Sequence, residues 1–381
     1  MATRLTRKSI GAVCLGLSLV ITAPSAVAVS DLLETPARDT QLATEYLLND
    51  IAQAGERMVA VGERGHIIYS DDDGKTWIQA EVPVSVTLTA LHFATPTHGW
   101  AVGHSGAVLH SSDGGETWSL QLDGIRAFEL AIEAKEERVA ELEAEIEQAP
   151  EEQVGDLEWA LDDLLFTLEN MRADLEIGPV NPFLAVWFEN ESHGFVVGAY
   201  GMIFRTTDGG ESWRDWSGEL ANPTGFHLNA IDRVKGGGLV IAGEAGLIRV
   251  STDNGETWEE RESPYDGSFF GVMGTGDVNE ILVFGLRGNI LFSEDLGRSW
   301  DTVPTDSTAT LNEGAVTPGG RIILVGNGGA VLESTDGGET FKSYFREDRE
   351  GVMAVVPVVE NRLILVGEQG VNAADAAGKN L

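Results

Sequence analysis

The sequence predicts an all-β chain, a seven-bladed β-propeller of four-stranded antiparallel blades with an inserted antiparallel α-helical hairpin. Three observations predict it. An eight-residue phrase recurs six times, with its aspartate at Asp72, Asp113, Asp208, Asp253, Asp295 and Asp336, at intervals of 41, 95, 45, 42 and 41. A second phrase, V-G-x-x-G or a close variant, precedes each copy and occurs a seventh time near the end. The interval of 95 holds one period plus about fifty residues, whose apolar spacing changes from two to three and a half.

In chain order, residues 1–28 read as a secretory signal peptide. Arg4, Arg7 and Lys8 precede a largely apolar stretch, Ile10 to Ile21, and Ala26-Val27-Ala28 is a cleavage signature. The stretch is too short for a lasting membrane span, and no second run of about twenty apolar residues follows. Cys14, the one cysteine, lies in this segment behind Gly11-Ala12-Val13, a poor lipoprotein box, so no lipid anchor is expected. Export without disulfides suits a bacterial periplasm. Residues 29–381 then form a single propeller, with 22 Lys and Arg against 61 Asp and Glu, a net charge of −39. That charge repels phosphate backbones and excludes nucleic acid as a partner.

Each repeat reads as an apolar run, the V-G-x-x-G turn, a second short run, the eight-residue box and a polar-aromatic strand, giving four short strands A to D. In the second unit these are Leu88–Phe93, Val102 to Gly106, Ala107–His110, Ser111 to Trp118, and Trp118–Leu122. The glycines around two variable residues suit a tight hairpin with positive φ. The seventh unit, at Val366 to Gly370, stops after about three strands. Leu33–Leu48, or part of it, is therefore expected to complete the last blade and close the ring, removing exposed edges.

The insertion, residues 125–177, lies between the D strand of blade 2 and the A strand of blade 3. Ile125, Phe128, Ile132, Lys135, Val139, Leu142 and Ile146 step by three and four. After Ala149-Pro150, so do Val154, Leu157, Leu161, Leu164, Leu168, Met171 and Leu175. Two arms of roughly 24 residues would each be about 36 Å long. Between Gly124 and Val180 stand 17 acidic and 4 basic residues, so the arm is anionic.

The box is the Asp box, and its chemistry is structural. Asp accepts backbone N–H groups of its own turn, Gly supplies the backbone conformation, and Trp packs over the sheet. A calcium site at Asp71-Asp72-Asp73 has no counterpart in the other copies. Neither a metal site nor a cofactor is expected, and no nucleophile elbow, P-loop or dinucleotide fingerprint occurs. C–D turns, with the boxes, fall on one face; B–C turns and D–A connections fall on the other, with the hairpin. The variable turn residues Glu63, Arg64, His104, Tyr200, Glu244, Arg287, Glu368 and Gln369 are therefore the candidate partner-binding ring, beneath the hairpin.

Copies such as Gly201 to Trp213, with the V-G-x-x-G turns and the signal, resemble the photosystem II stability and assembly factor family of Asp-box (BNR-repeat) propellers, non-photosynthetic bacterial type. The resemblance covers nearly all of residues 40–375 except the insertion. It implies seven blades and a non-enzymatic, chaperone-like binder of membrane-protein intermediates. For bacteria without photosynthesis it implies an accessory of a membrane complex, such as an RND-type transporter. The rival readings are a sialidase-like glycoside hydrolase and a non-catalytic carbohydrate-binding propeller. Arg64, Arg287, Tyr200, Glu63 and Glu244 could supply sialidase-like parts, but Phe204-Arg205 runs on into Thr206-Thr207 without the Arg-Ile-Pro signature. Six of nine tryptophans (Trp77, Trp118, Trp213, Trp216, Trp258 and Trp300) are expected between blades rather than in a sugar site.

Overall fold

A computed structural model describes residues 32–178, 181–359 and 361–381. The signal expected over residues 1–28 lies outside them. Among the described residues seven antiparallel sheets follow one another, six of four strands and one of three. Their innermost strands are Leu48–Ala54, Leu88–Phe93, Phe183–Phe188, Leu228–Arg233, Phe269–Gly274, Leu311–Val316 and Val352–Val359. These line a central channel. Second strands such as Ile322–Gly326 are buried along their whole length, because each is flanked by strands in its own sheet and covered by both neighbouring blades.

The core is a set of inter-blade layers rather than one cluster. The aromatic residue of each Asp box packs toward the preceding blade. Trp118 meets Val59 and Phe93, Trp213 meets Trp100 and Phe188, and Trp258 meets Phe195. Trp77 joins Ile364 and Val366 where blade 7 meets blade 1.

Ring closure differs from the expectation. Leu33–Leu48 does not form the fourth strand of blade 7; residues 41–46 are turns. Thr44 contributes one carbonyl to the Val371 N–H at 3.0 Å. The free edge of Gly370–Ala374 is met instead by the chain's own C-terminus. Asn380 bridges Ala374, and the Leu381 N–H donates to the Ala373 carbonyl at 3.0 Å. The ring closes by packing, with Leu48, Ile51 and Met58 against Ala354 and Val356.

The insertion is a helical hairpin, α1 (Gly124–Gln148) and α2 (Glu151–Ile177). The Asp123 carboxylate caps α1 by accepting from the Arg126 N–H at 2.8 Å. Pro150 provides the turn because its residue cannot continue α1 but can start α2. Ile132, Leu142 and Leu168 are buried along the seam. Ile125, expected on that seam, is instead exposed. The first turns of α1 aim Ala127, Leu130 and Ala131 at blades 2 and 3, which rotates Ile125 outward.

Candidate functional site: the turn face, its channel and the hairpin cleft

The seven V-G-x-x-G turns and the D–A connections share one face, as expected, and local backbone sterics show why. The first glycine of each turn is extended, not positive in φ. It is glycine because a Cβ at Gly243 would fall 2.2 Å from the carbonyl oxygen of His227, in the connection before its own blade. The same obstruction recurs at Gly62 against Leu47 and at Gly326 against Thr310. In the first six turns the positive φ falls on the second variable residue and the second glycine; in the seventh it falls on Gly370 alone. Arg64, Ser105, Tyr200, Ala245 and Arg287 all lie between 54° and 60°, and only the sixth turn uses glycine there, Gly328. The turns are thus stacked directly on the connections, which fixes the residues they display.

Those displayed residues divide by partner. Glu244 accepts the His227 N–H at 3.2 Å, and Glu368 accepts the Gly351 N–H at 2.7 Å, so both latch a connection to its turn. Arg64 lies over the Tyr46 ring at 5.1 Å, and Tyr200 meets His227 edge-on at 5.0 Å. His104, Arg287 and Gln369 are exposed, and Glu63 is half-buried. The hairpin meets this set of turns at two places, packing α1 against the His104–Gly106 turn and sharing a cleft with Tyr200. α1 packs across the outer strand of blade 3, Arg214–Asp215, with Lys135 3.8 Å from Asp215. Of the eight candidates only Tyr200 lines the resulting cleft of about 830 Å³, shared with Lys135, Arg138 and Trp216.

The second cavity, about 800 Å³, is the central channel, with His104 at its wall. It contains titratable groups that the turn pattern did not mark: Asp50, His92, Asp232 and Glu313. Most of its polar groups stitch neighbouring blades. Asn49 donates to the Leu88 carbonyl, Asn229 to Phe269 and Asn312 to Val352, at 2.7–2.8 Å. Thr89 plays the same part toward Phe183. Asp50 accepts the N–H groups of Ile51 and, in the next blade, Leu91. His92 accepts the Phe188 N–H at 3.2 Å, and loss of solvation pushes its imidazole down to about 4, so it is neutral.

Burial pushes Asp50 and Asp232 up to about 6, against the backbone N–H groups that hold their charge. Glu313 goes further, well above the usual carboxylate range, because it is desolvated and faces the charge of Asp50. Kept protonated, its hydroxyl donates a hydrogen bond to the Asp50 carboxylate. The signal for this cluster was present in the sequence as carboxylates inside apolar strands, in Leu48-Asn49-Asp50-Ile51 and Leu311-Asn312-Glu313.

The six Asp-box aspartates carry hydrogen bonds, not ligands. In each, a Ser or Thr hydroxyl donates to Oδ1, the backbone N–H four residues after the Asp donates to Oδ1, and the hydroxyl there donates to Oδ2. Asp72 receives these from Ser70 and Thr76, and Asp113, Asp208, Asp253, Asp295 and Asp336 repeat them. Those donors hold Asp72 down to about 2. Among the described residues no group of three or more His, Cys, Asp or Glu could hold a metal ion. Arg64, Tyr200, Glu244 and Arg287 stand on four different turns, each with its own local packing.

The sequence profile of a family described as photosynthesis system II assembly factor YCF48 matches residues 75–139 and 169–323. A curated relative, the photosystem II assembly lipoprotein Ycf48 of Synechococcus sp. (strain CC9902), is 32% identical over 169 residues, 44% of this chain and 50% of that protein. The chain thus spans about half the length of that relative. Two solved structures share the fold. One, titled YCF48 bound to D1 peptide, superposes with a TM-score of 0.58 at 17% identity, over 90% of this chain and 99% of that one. YCF48 from Cyanidioschyzon merolae gives 0.57 at 14% identity, over 90% and 98%.

Proposed function

The chain belongs to the photosynthesis system II assembly factor YCF48 family, and on that premise we propose that it is a non-enzymatic, exported assembly or accessory factor for a membrane protein complex. The observation that carries this reading is geometric. The turn ring and the channel mouth lie on the face where the connections run, and the hairpin is itself one of those connections, packed along the outer strand of blade 3, while the Asp boxes occupy the C–D turns. A binding surface needs displayed, varied side chains on a rigid frame, and the turns supply them. The channel's polar groups are committed to neighbouring blades, which leaves little to act on a substrate.

The family description and the relative's name support assembly on a membrane complex. The curated relative is named a lipoprotein, which agrees with action at a membrane. Among the described residues no helix is long and apolar enough to cross one. The signal read in residues 1–28 supports export to the periplasm. An RND-type transporter enters as a candidate client on the sequence resemblance alone.

The test is co-purification from cross-linked membranes. We expect the full chain to retain a membrane complex, and a variant with residues 125–177 replaced by a short linker to fold and lose it. Retention of every partner by the shortened chain would make the hairpin irrelevant to the client. Hydrolysis of a sialoside, lost in Tyr200→Phe or Arg287→Ala, would replace the binding reading with the glycosidase one.

A further inference from the structure

The back of α2 carries two exposed aromatics. Trp159 is 72% exposed and Phe166 is 65% exposed, the two largest exposed aromatics on the hairpin. They are seven residues apart, so they share one stripe about 10 Å long. Each stands two residues before a seam position, Leu161 and Leu168, which turns the stripe about 160° away from α1. Leu168 is 2% exposed, so the seam already satisfies the apolar demand of the hairpin. Trp159 and Phe166 lie off that seam, with most of their surface open to solvent.

Charge then narrows what covers them. The residues three and four positions from these aromatics include Asp156, Asp162, Asp163 and Glu169, and no base. The whole of α2 carries nine acidic residues and one basic one, Arg172, which is paired with Glu136 of α1 at 2.6 Å. A second copy of this face would bring like charges together, and an anionic lipid surface would be repelled. The stripe also lies in residues 140–168, the stretch between the two segments that the family profile matches.

We propose that the outer face of α2 docks a basic amphipathic helix of the client, whose apolar stripe covers Trp159 and Phe166 while its Lys and Arg residues pair with Asp156, Asp162, Asp163 and Glu169. Two aromatics one heptad apart match the spacing of a helical partner, and α2 becomes the middle helix of three. Trp is the residue type most often found to dominate such contacts. The proposal rests on the hairpin being the docking arm and names the surface and the partner's chemistry.

The probe is a synthetic 21-residue amphipathic helix of Lys and Leu, fluorescently labelled and titrated with the full chain. Its mirror in charge, Glu for Lys, is the control. We expect the Lys peptide to bind, with affinity falling at higher salt, and the Glu peptide not to bind. Trp159→Ala with Phe166→Ala should weaken the Lys peptide about tenfold or more, with an unchanged circular dichroism spectrum. Asp162→Asn with Asp163→Asn should weaken it and flatten the salt dependence. Unchanged binding by the Trp159/Phe166 variant would overturn the proposal, since general acidity would then be the cause. So would a dimer that this variant dissolves, or vesicle binding lost with Trp159. Failure of the underlying reading shows separately, as a client retained after removal of residues 125–177.

Discussion

At Gly243 and Gly328 the same residue type answers two different demands. Gly243 is extended, and any Cβ there collides with the His227 carbonyl; Gly328 has φ 62° with open space around it. Alanine at Gly328 meets only left-handed strain, which Ala245 already tolerates at φ 54° two repeats earlier. We therefore expect Gly328→Ala to cost about 1 kcal/mol and Gly243→Ala about 3 kcal/mol or more, since backbone must move to admit it. Urea denaturation of the two variants compares them directly, and equal losses would show that turn conformation, not close approach, selects the first glycine. The sequence marked the two framing glycines of each turn and assigned positive φ to them as a unit, leaving Gly328 among the variable residues. A motif records which residue types are tolerated at a site; the carbonyl that restricts Gly243 lies sixteen residues earlier, in another element, and leaves no mark in the phrase itself.

Elements were legible where periodicity was regular, and less so where two elements compete for one residue. The heptad stripes, Ile125 to Ile146 and Val154 to Leu175, lie inside the observed helices, Gly124–Gln148 and Glu151–Ile177. They placed Ile125 wrongly, because in its first turns α1 answers to blades 2 and 3 through Ala127 rather than to α2. The direction of the arm was also hidden, since it depends on contacts such as Lys135 with Asp215 between an insertion and the blade after it. This division makes the seam separable from the propeller. Leu168→Asp places a charge in the buried seam and should unravel the hairpin. We expect a loss of helical signal at 222 nm while the main thermal transition of the propeller shifts little. Loss of both together would mean that the hairpin is part of the propeller's cooperative unit.

Across the whole molecule the ring opposes two sets of carboxylates, and their pH responses have opposite signs. The Asp-box carboxylates sit below their ordinary values, Asp72 at about 2, so the stability they add is present above 3.8 and lost as the pH falls toward 2. The channel set is the reverse. Asp50 and Asp232 rise from 3.8 to about 6, and Glu313 rises well above its ordinary range. The native state keeps these protons where the unfolded chain has released them, so their contribution is full below 3.8 and lost as pH rises through 6. Together they place the melting maximum between about pH 4 and 5, below neutrality. The net charge of −36 pushes the same way, through repulsion that protonation relieves, so the wild-type curve alone does not identify the channel. Glu313→Gln does. It keeps a donor for Asp50 and removes the titrating group, leaving the surface charge untouched. We expect it to raise the melting midpoint at pH 7.5 and to leave it nearly unchanged at pH 4.5, in the same buffer series. An equal rise at both values would assign the effect to packing and take Glu313 out of the pH response. The box aspartates announced themselves by repetition, whereas Asp50 and Glu313 occur once each, two blades apart, and meet only because the ring closes.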